Sequence, residues 1–337
     1  MQRCFARSTR ITVVYSEFVE IGNKSRFLQK MGKFIIMRKI TFQRKEAKSL
    51  KKNINRTAVL FLLPSCLILL IFTILPSIGA LIISFTKWDM ITPMEYTGLA
   101  NYEKILQDIS FKESLINTFK YVIGFVPINV IFSLIIALVL TEKWLKGKDF
   151  FRVVFYIPVI VSAVAVSMIW KWIYNPAYGL LNQIIGLFGF PRQFWIEDSN
   201  LAMPSLILMT IWQTFGYNVV LFISGLLSIP DLYYEAAEVD GANKLQRLYK
   251  ITIPLLAPTT LFVVITTVIT SFQVFDQVLV LGDASGPPRA LMVVVYYLYK
   301  IGFGSFKLGY ASTIGIVLFM IILLVSIIQF RFFHKEA

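Results

Sequence analysis

A single histidine, His334, and two cysteines, Cys4 and Cys66, occur in 337 residues. One histidine excludes the usual multi-histidine metal sites. The cysteines lie one in a basic tail and one in an apolar run, where they face different surroundings and form no disulfide framework. The chain has no G-x-x-x-x-G-K-[ST] phosphate loop, so if ATP drives this protein another subunit binds it. Charge is scarce as well: 15% of residues are Asp, Glu, Lys or Arg, against about a quarter in soluble domains. No paired carboxylates, histidine cluster or activated nucleophile stand out as a catalytic set. In their place are 57% hydrophobic and 15% aromatic residues at a mean hydropathy of +0.70, the composition of a membrane protein.

The formal net charge of +14 raises nucleic acid as a partner, and its distribution argues against one. Residues 1–56 carry 15 Lys/Arg against Glu17, Glu20 and Glu46, a net of +12 that leaves the remainder almost neutral. A basic end abutting an apolar span reads as a cytoplasmic anchor facing anionic lipid, and no basic surface interleaved with aromatics suggests a nucleic-acid platform.

Apolar runs near 58–86, 116–140, 151–173, 203–227, 256–281 and 309–331 are each long enough to cross roughly 30 Å of hydrocarbon, which takes about 20 residues. Six spans are expected, in an all-α fold. Pro64, Pro76, Pro127 and Pro158 fall in or beside these runs and predict kinks that neighbouring helices can repair. With the N-terminus inside, 24 of the 33 Lys/Arg fall on the cytoplasmic side: the 15 of the tail, then Lys143, Lys146, Lys148, Arg152, Lys244, Arg247, Lys250, Arg331 and Lys335. That satisfies the positive-inside bias and predicts cytoplasmic N- and C-termini.

Residues 1–36 lack the ordered n-region, apolar core and small-residue cleavage site of a secretory signal. They are expected to be a disordered extension within a basic N-terminal segment, 1–56, ahead of a six-span domain, 57–337. Met37 opens a polybasic lead that would suffice as a start; finding Met1 by N-terminal sequencing of native protein would exclude that reading. The outer segments "WDMITPMEYTGLANYEKILQD" and "NPAYGLLNQIIGLFGFPRQFWIEDSN" favour turns and short interfacial helices, and "GDASGPPRA", 282–290, reads as a loop.

Between the fourth and fifth runs lies "EAAEVDGANKLQRLYKITIPLL", 235–256. Ser228-Ile229-Pro230-Asp231 supplies a stop and a start, with Asp231 expected to cap an amphipathic helix from Leu232. Gly241 interrupts that helix, and Ile251-Thr252-Ile253-Pro254 turns the chain back into the membrane. The bland reading is a helix lying on lipid headgroups. Against it, Glu235, Glu238 and Asp240 balance Lys244, Arg247 and Lys250, whereas lipid-resting helices carry mostly cations on the polar face. Small Ala236, Ala237 and Ala242 around Gly241 favour docking into a protein groove.

The segment resembles the EAA loop of ABC-importer membrane subunits: Glu235-Ala236-Ala237, three residues, Gly241, nine residues, then Ile251-x-Ile253-Pro254, with Ile253 in place of the usual leucine. From about residue 58 to the end the chain is similar to the maltose-type carbohydrate and glycerol-phosphate permeases. It departs at Gly282-Asp283-Ala284-Ser285-Gly286-Pro287, where those families have Thr-x-Gly-Gly-Pro. The resemblance implies a pore of two related permeases, a cytoplasmic ATPase dimer that holds ATP and Mg, and an external solute-binding protein; this chain would bind no cofactor and catalyse no reaction. It assigns coupling to the ATPase to loop 228–254, through Glu235, Ala236, Ala237, Asp240, Gly241 and Pro254.

Polar groups inside a bilayer are costly, so each is a candidate for the solute path. Gln213, Thr214, Tyr217 and Asn218 cluster around Trp212 in the fourth run, and Thr270, Gln273, Asp276 and Gln277 in the fifth. Amides, a hydroxyl and an aromatic ring suit a sugar. Gln213, Thr214, Tyr217, Asn218, Gln273 and Asp276 are the candidate solute contacts, with interhelical glue as the competing reading of each. Lys171, between Trp170 and Trp172, fits a snorkelling lysine in an aromatic belt. An ion-coupled secondary transporter is the rival function; it usually needs acids or histidines deep in the bilayer, and these spans offer only Asp276, near an edge.

Overall fold

The computed structural model describes residues 58–142, 144–282 and 288–333. The expected extension 1–36, the basic segment 1–56 and residues 283–287 of the expected outer loop lie outside these residues. The chain divides after Pro76 into two compact units. The described part of the first, residues 58–76, is helical and exposed throughout, and belongs to helix α1, Ala58–Ile83. Within α1 the turn Leu70–Ile74 widens, so that the amide of Leu75 reaches the carbonyl of Leu70. Pro76 accounts for it: the ring has no N–H to give and crowds the carbonyl four residues back, and a wider turn relieves that clash.

After α1 comes a two-stranded antiparallel hairpin, β1 Thr86–Lys87 against β2 Glu95–Tyr96, in register Thr86 to Tyr96. Two short helices follow the expectation for the outer segments, α2 Ala100–Gln107 and, further on, α6 Leu180–Leu187. Between them run α3 Ile109–Thr141, α4 Lys148–Ile160 and α5 Ala163–Ile173. After α6 come α7 Ala202–Leu227, α8 Asp231–Val239, α9 Lys244–Leu255 and α10 Ala257–Phe272. The chain continues through α11 Asp276–Leu281 and α12 Val294–Tyr299 to α13 Leu308–Phe333.

Among the described residues, α1, α3, α7 and α13 are each long and apolar enough to cross a membrane. The other two expected spans are bent pairs, α4 with α5 at 95° and α9 with α10 at 64°. Taking each pair as one span gives the six expected. The third span turns at Val161-Ser162 and not at Pro158, which sits inside α4. The fifth is shorter than the run 256–281 implies. Past Thr270 the backbone tightens, with the Gln273 amide on the Thr270 carbonyl at 3.1 Å and Val274 on Ser271 at 3.3 Å, and helix resumes only at Asp276. A hydropathy run cannot register that break, because Val274 and Phe275 are as apolar as their neighbours.

The core forms where α3 lies along α7. Ser133 Oγ donates to the Phe215 carbonyl at 3.1 Å, and Phe215 packs between Phe132 and Phe155, at 5.2 and 5.5 Å between ring centroids. Gly216 lets α4 cross here with backbones touching: a Cβ at 216 would collide with the Phe155 carbonyl group. Such an overlap against backbone, unlike one against a flexible side chain, has no easy relief.

Candidate functional site

Helix α8 begins after Pro230, with Asp231 as its first residue and no side-chain cap. The expected capping by Asp231 is therefore replaced by its charge, which still sits at the positive helix end. At the other end Asp240 is the C-cap. The Ala242 amide reaches back to the Ala237 carbonyl at 2.8 Å and the Gly241 amide to Glu238 at 3.1 Å, while Gly241 adopts φ +77. This pair of bonds with a left-handed residue is a Schellman termination, which favours glycine. It explains the spacing of the motif: Gly241 stands where the helix carrying Glu235-Ala236-Ala237 has to end. Among the described residues nothing lies within 4 Å of a Cβ built there, so the demand is conformational.

The chain restarts at once. Asn243 caps α9 in a reciprocal pair with Gln246, each bond 2.8 Å. A second wide turn, Leu248–Thr252, brings the Ile253 amide onto the Leu248 carbonyl two residues before Pro254, as at Pro76. In α8, Tyr234 and Ala237 are half-buried toward the rest of the loop, whereas Glu235 and Ala236 are exposed. Leu232 and Val239 are 72% and 88% exposed. At helical spacing Leu232, Ala236 and Val239 form one stripe, opposite Tyr234 and Ala237, so α8 turns an apolar stripe away from its own chain. Beside the turn lies a hollow of about 440 Å³ lined by Ala237, Asp240, Gly241, Arg247, Lys250 and Ile251. Pro254 is exposed at the return toward α10.

The candidate solute residues separate into two groups. Gln213 is buried and accepts from Gln277 Nε2 at 3.1 Å. Asn218, also buried, donates to Asn129 Oδ1 at 2.7 Å and to Thr267 Oγ1 at 3.0 Å, and Asn129 Nδ2 donates to Thr214 Oγ1 at 3.0 Å. This network joins α3, α7 and α10. Its members Asn129 and Thr267 were not singled out above, although a polar side chain in mid-span was signal enough. The other group is open: Tyr217 is 43% exposed, and Gln273 and Asp276 are exposed. Gln213 and Tyr217, four residues apart, therefore differ in surroundings. Thr266, Thr270 and Gln273 share a face of α10, and both threonine hydroxyls donate back to carbonyls of their own helix.

Lys171 caps the end of α11, its Nζ donating to the carbonyls of Val280 at 3.1 Å and Gly282 at 2.6 Å, a structural task that the snorkelling expectation did not include. Past the outer loop, Arg289 pairs with Glu113 at 2.5 Å, and Asn117 donates to the carbonyls of Arg289 and Met292. Asp108 caps α3 through the amides of Ser110 and Phe111 and accepts from the hydroxyls of Tyr297 at 2.6 Å and Tyr310 at 2.5 Å. Partial burial pushes the Asp108 carboxyl up, but the bonds from Tyr297, Tyr310 and the two amides outweigh it and hold it below the ordinary carboxylate range. A depressed folded value contributes stability that is complete above the unfolded value and lost as pH falls through the folded one. The melting temperature of the wild type should therefore exceed that of Asp108→Asn by a constant margin above about pH 5, a margin that narrows progressively in stronger acid.

Residues 57–336 match the family described as "Binding-protein-dependent transport system inner membrane component". The chain is 36% identical over 278 residues to the probable ABC transporter permease protein YurN of Bacillus subtilis, spanning 81% of this chain and 94% of that one. It is 32% identical over 275 residues to the arabinooligosaccharides transport system permease protein AraP of the same organism, across 81% and 87% of the two chains. It is also 32% identical over 285 residues to the sn-glycerol-3-phosphate transport system permease protein UgpA of Agrobacterium fabrum, across 82% and 94%. Among solved structures, a chain of a bacterial ABC transporter involved in the import of the acidic polysaccharide alginate shares the fold, with a TM-score of 0.72 at 24% identity over 85% of this chain and 98% of that one. Together with the apolar helices and the EAA segment, these likenesses place the chain in the family of inner-membrane components of binding-protein-dependent transport systems, as a multi-pass transport subunit and not an enzyme.

Proposed function

We propose that this chain forms half of the pore of an ATP-driven importer for a carbohydrate or polyol-type solute. Its companions are a second homologous permease, a cytoplasmic ATPase dimer that holds ATP and Mg, and an extracytoplasmic solute-binding protein. Both termini are cytoplasmic, in keeping with the Lys/Arg distribution. The observation that carries the coupling role is the stripe Leu232, Ala236 and Val239 on α8, turned away from the chain's own body and flanked by Glu235. An exposed apolar stripe rimmed by charge fits a protein groove, and the charge balance of the loop fits a lipid surface poorly. Tagged chain purified from native membranes brings with it a second permease and an ATPase; purification of the chain alone would overturn this reading.

The carbohydrate class is supported by relatives named for arabinooligosaccharides and by the neutral amides and aromatic ring in the spans. Tyr217, Gln273 and Asp276 take the solute-facing role, because they are open. Gln213, Thr214 and Asn218 hold α7 against α3, α10 and α11 and position that surface. Removing one solute hydrogen bond costs roughly 1 kcal/mol, about fivefold in KM. With radiolabelled arabino-oligosaccharides, sn-glycerol 3-phosphate and alginate oligomers as probes, Tyr217→Ala raises the KM of whichever probe is accumulated by about that factor and leaves the amount of folded protein unchanged.

A further inference from the structure

The loop that carries the apolar stripe is closed on its inner side. The hydroxyl of Tyr234, the residue just before Glu235, lies 3.0 Å from Thr252 Oγ1. Thr252 is 6% exposed, ends the wide turn Leu248–Thr252, and donates to the Arg247 carbonyl at 3.4 Å. A second link, Arg247 Nη1 to Glu238 Oε2 at 3.1 Å, has a glutamate side chain 73% exposed; pairs of that kind contribute little. Between these links the chain reverses through Gly241 and Ala242, and among the described residues no atom lies within 4 Å of a Cβ built at Gly241. Without a brace, a glycine turn of this kind would flex under load.

We infer that Tyr234 and Thr252 form a strut that makes α8 and the base of the fifth span one rigid body. Displacement of α8 then reaches α10 and is not absorbed at Gly241. The inference rests on the coupling role of α8 proposed above. Tyr234 and Thr252 are positioning residues in it: both face inward, neither belongs to the outward stripe, and the strut joins the two limbs of the loop across 18 residues of chain. A hydroxyl pair with one buried member suits the task, because the bond is directional and Thr252 holds its end of it away from water.

The test uses the complete importer purified from membranes, with Cys4→Ser and Cys66→Ser and with spin labels at Tyr233→Cys on the flank of α8 and Phe262→Cys on α10, both half-exposed positions. Distances are measured by pulsed electron paramagnetic resonance without nucleotide and after trapping with ATP and vanadate. The wild-type loop gives one narrow distance that is the same in both states. Tyr234→Phe and Thr252→Val each lose that single narrow peak, and Thr252→Ser, which keeps the hydroxyl, restores it. A wild-type distance that shifts on trapping, or hydroxyl-less variants as narrow as wild type, overturns the strut and leaves the coupling role standing. Absence of the ATPase from the purified wild type overturns the coupling role, and the strut with it.

Discussion

Ala236→Arg abolishes solute-stimulated ATP hydrolysis by the purified importer while the permease itself remains folded in the membrane. Arginine is almost as good a helix former as alanine, and Ala236 is exposed at the middle of α8. Its exposure among the described residues leaves room for the longer side chain, so the isolated subunit tolerates the change. In a protein groove the same side chain must be accommodated with an unpaired guanidinium stripped of water, at a cost of about 3 kcal/mol or more, roughly a hundredfold in affinity. Co-purification and hydrolysis rates are the readouts. Wild-type hydrolysis by the variant would mean that the stripe meets no partner.

Asn218→Leu is expected to lower the melting temperature of the importer in detergent far more than it changes the KM of transport. The substitution keeps the branched shape and the number of side-chain heavy atoms, adds bulk where methyl groups replace the amide, and removes both donations that Asn218 makes to Asn129 and Thr267. It leaves the buried Asn129 Oδ1 without that donor, an effect of about 1–3 kcal/mol in a protein interior and nearer the lower end within membrane bundles. Removing the orphaned partner as well should recover part of the loss, so the double variant Asn129→Leu/Asn218→Leu is the more stable of the two. A solute-contacting Asn218 would behave oppositely, with KM raised, stability intact and no recovery in the double variant.

These two residues mark how far the sequence could be read. The loop around Ala236 was legible as a docking candidate because the EAA motif, the balanced charges and Gly241 each constrain it independently, and the Schellman bonds at Gly241 supply the physical reason for the spacing. The stripe of Leu232, Ala236 and Val239 was not, because the motif groups Ala236 with Ala237 and only the packing of the loop turns them apart. Hydropathy located four spanning helices outright and two more regions that form bent pairs, but the bend at Val161-Ser162 and the break at Gln273-Phe275 were not legible. Both lie in stretches whose side chains stay apolar while the backbone changes direction. Asn218 and Tyr217 stand one position apart, and composition assigns them to one cluster. Only the packing of α7 against α3 sends the amide into the bundle and leaves the phenol open. Lys171 shows the same limit: its place among tryptophans suggested a membrane edge, and its service to the carbonyls of Val280 and Gly282 depends on a chain reversal more than a hundred residues away.

The central claim is that α8 docks into another protein, and a photo-crosslinking amino acid placed at Val239, 88% exposed at the end of the stripe, tests it most directly. Irradiation of native membranes followed by mass spectrometry of the adduct should identify an ATPase subunit joined to residue 239. Adducts only with phospholipid would contradict the account and return α8 to the membrane surface.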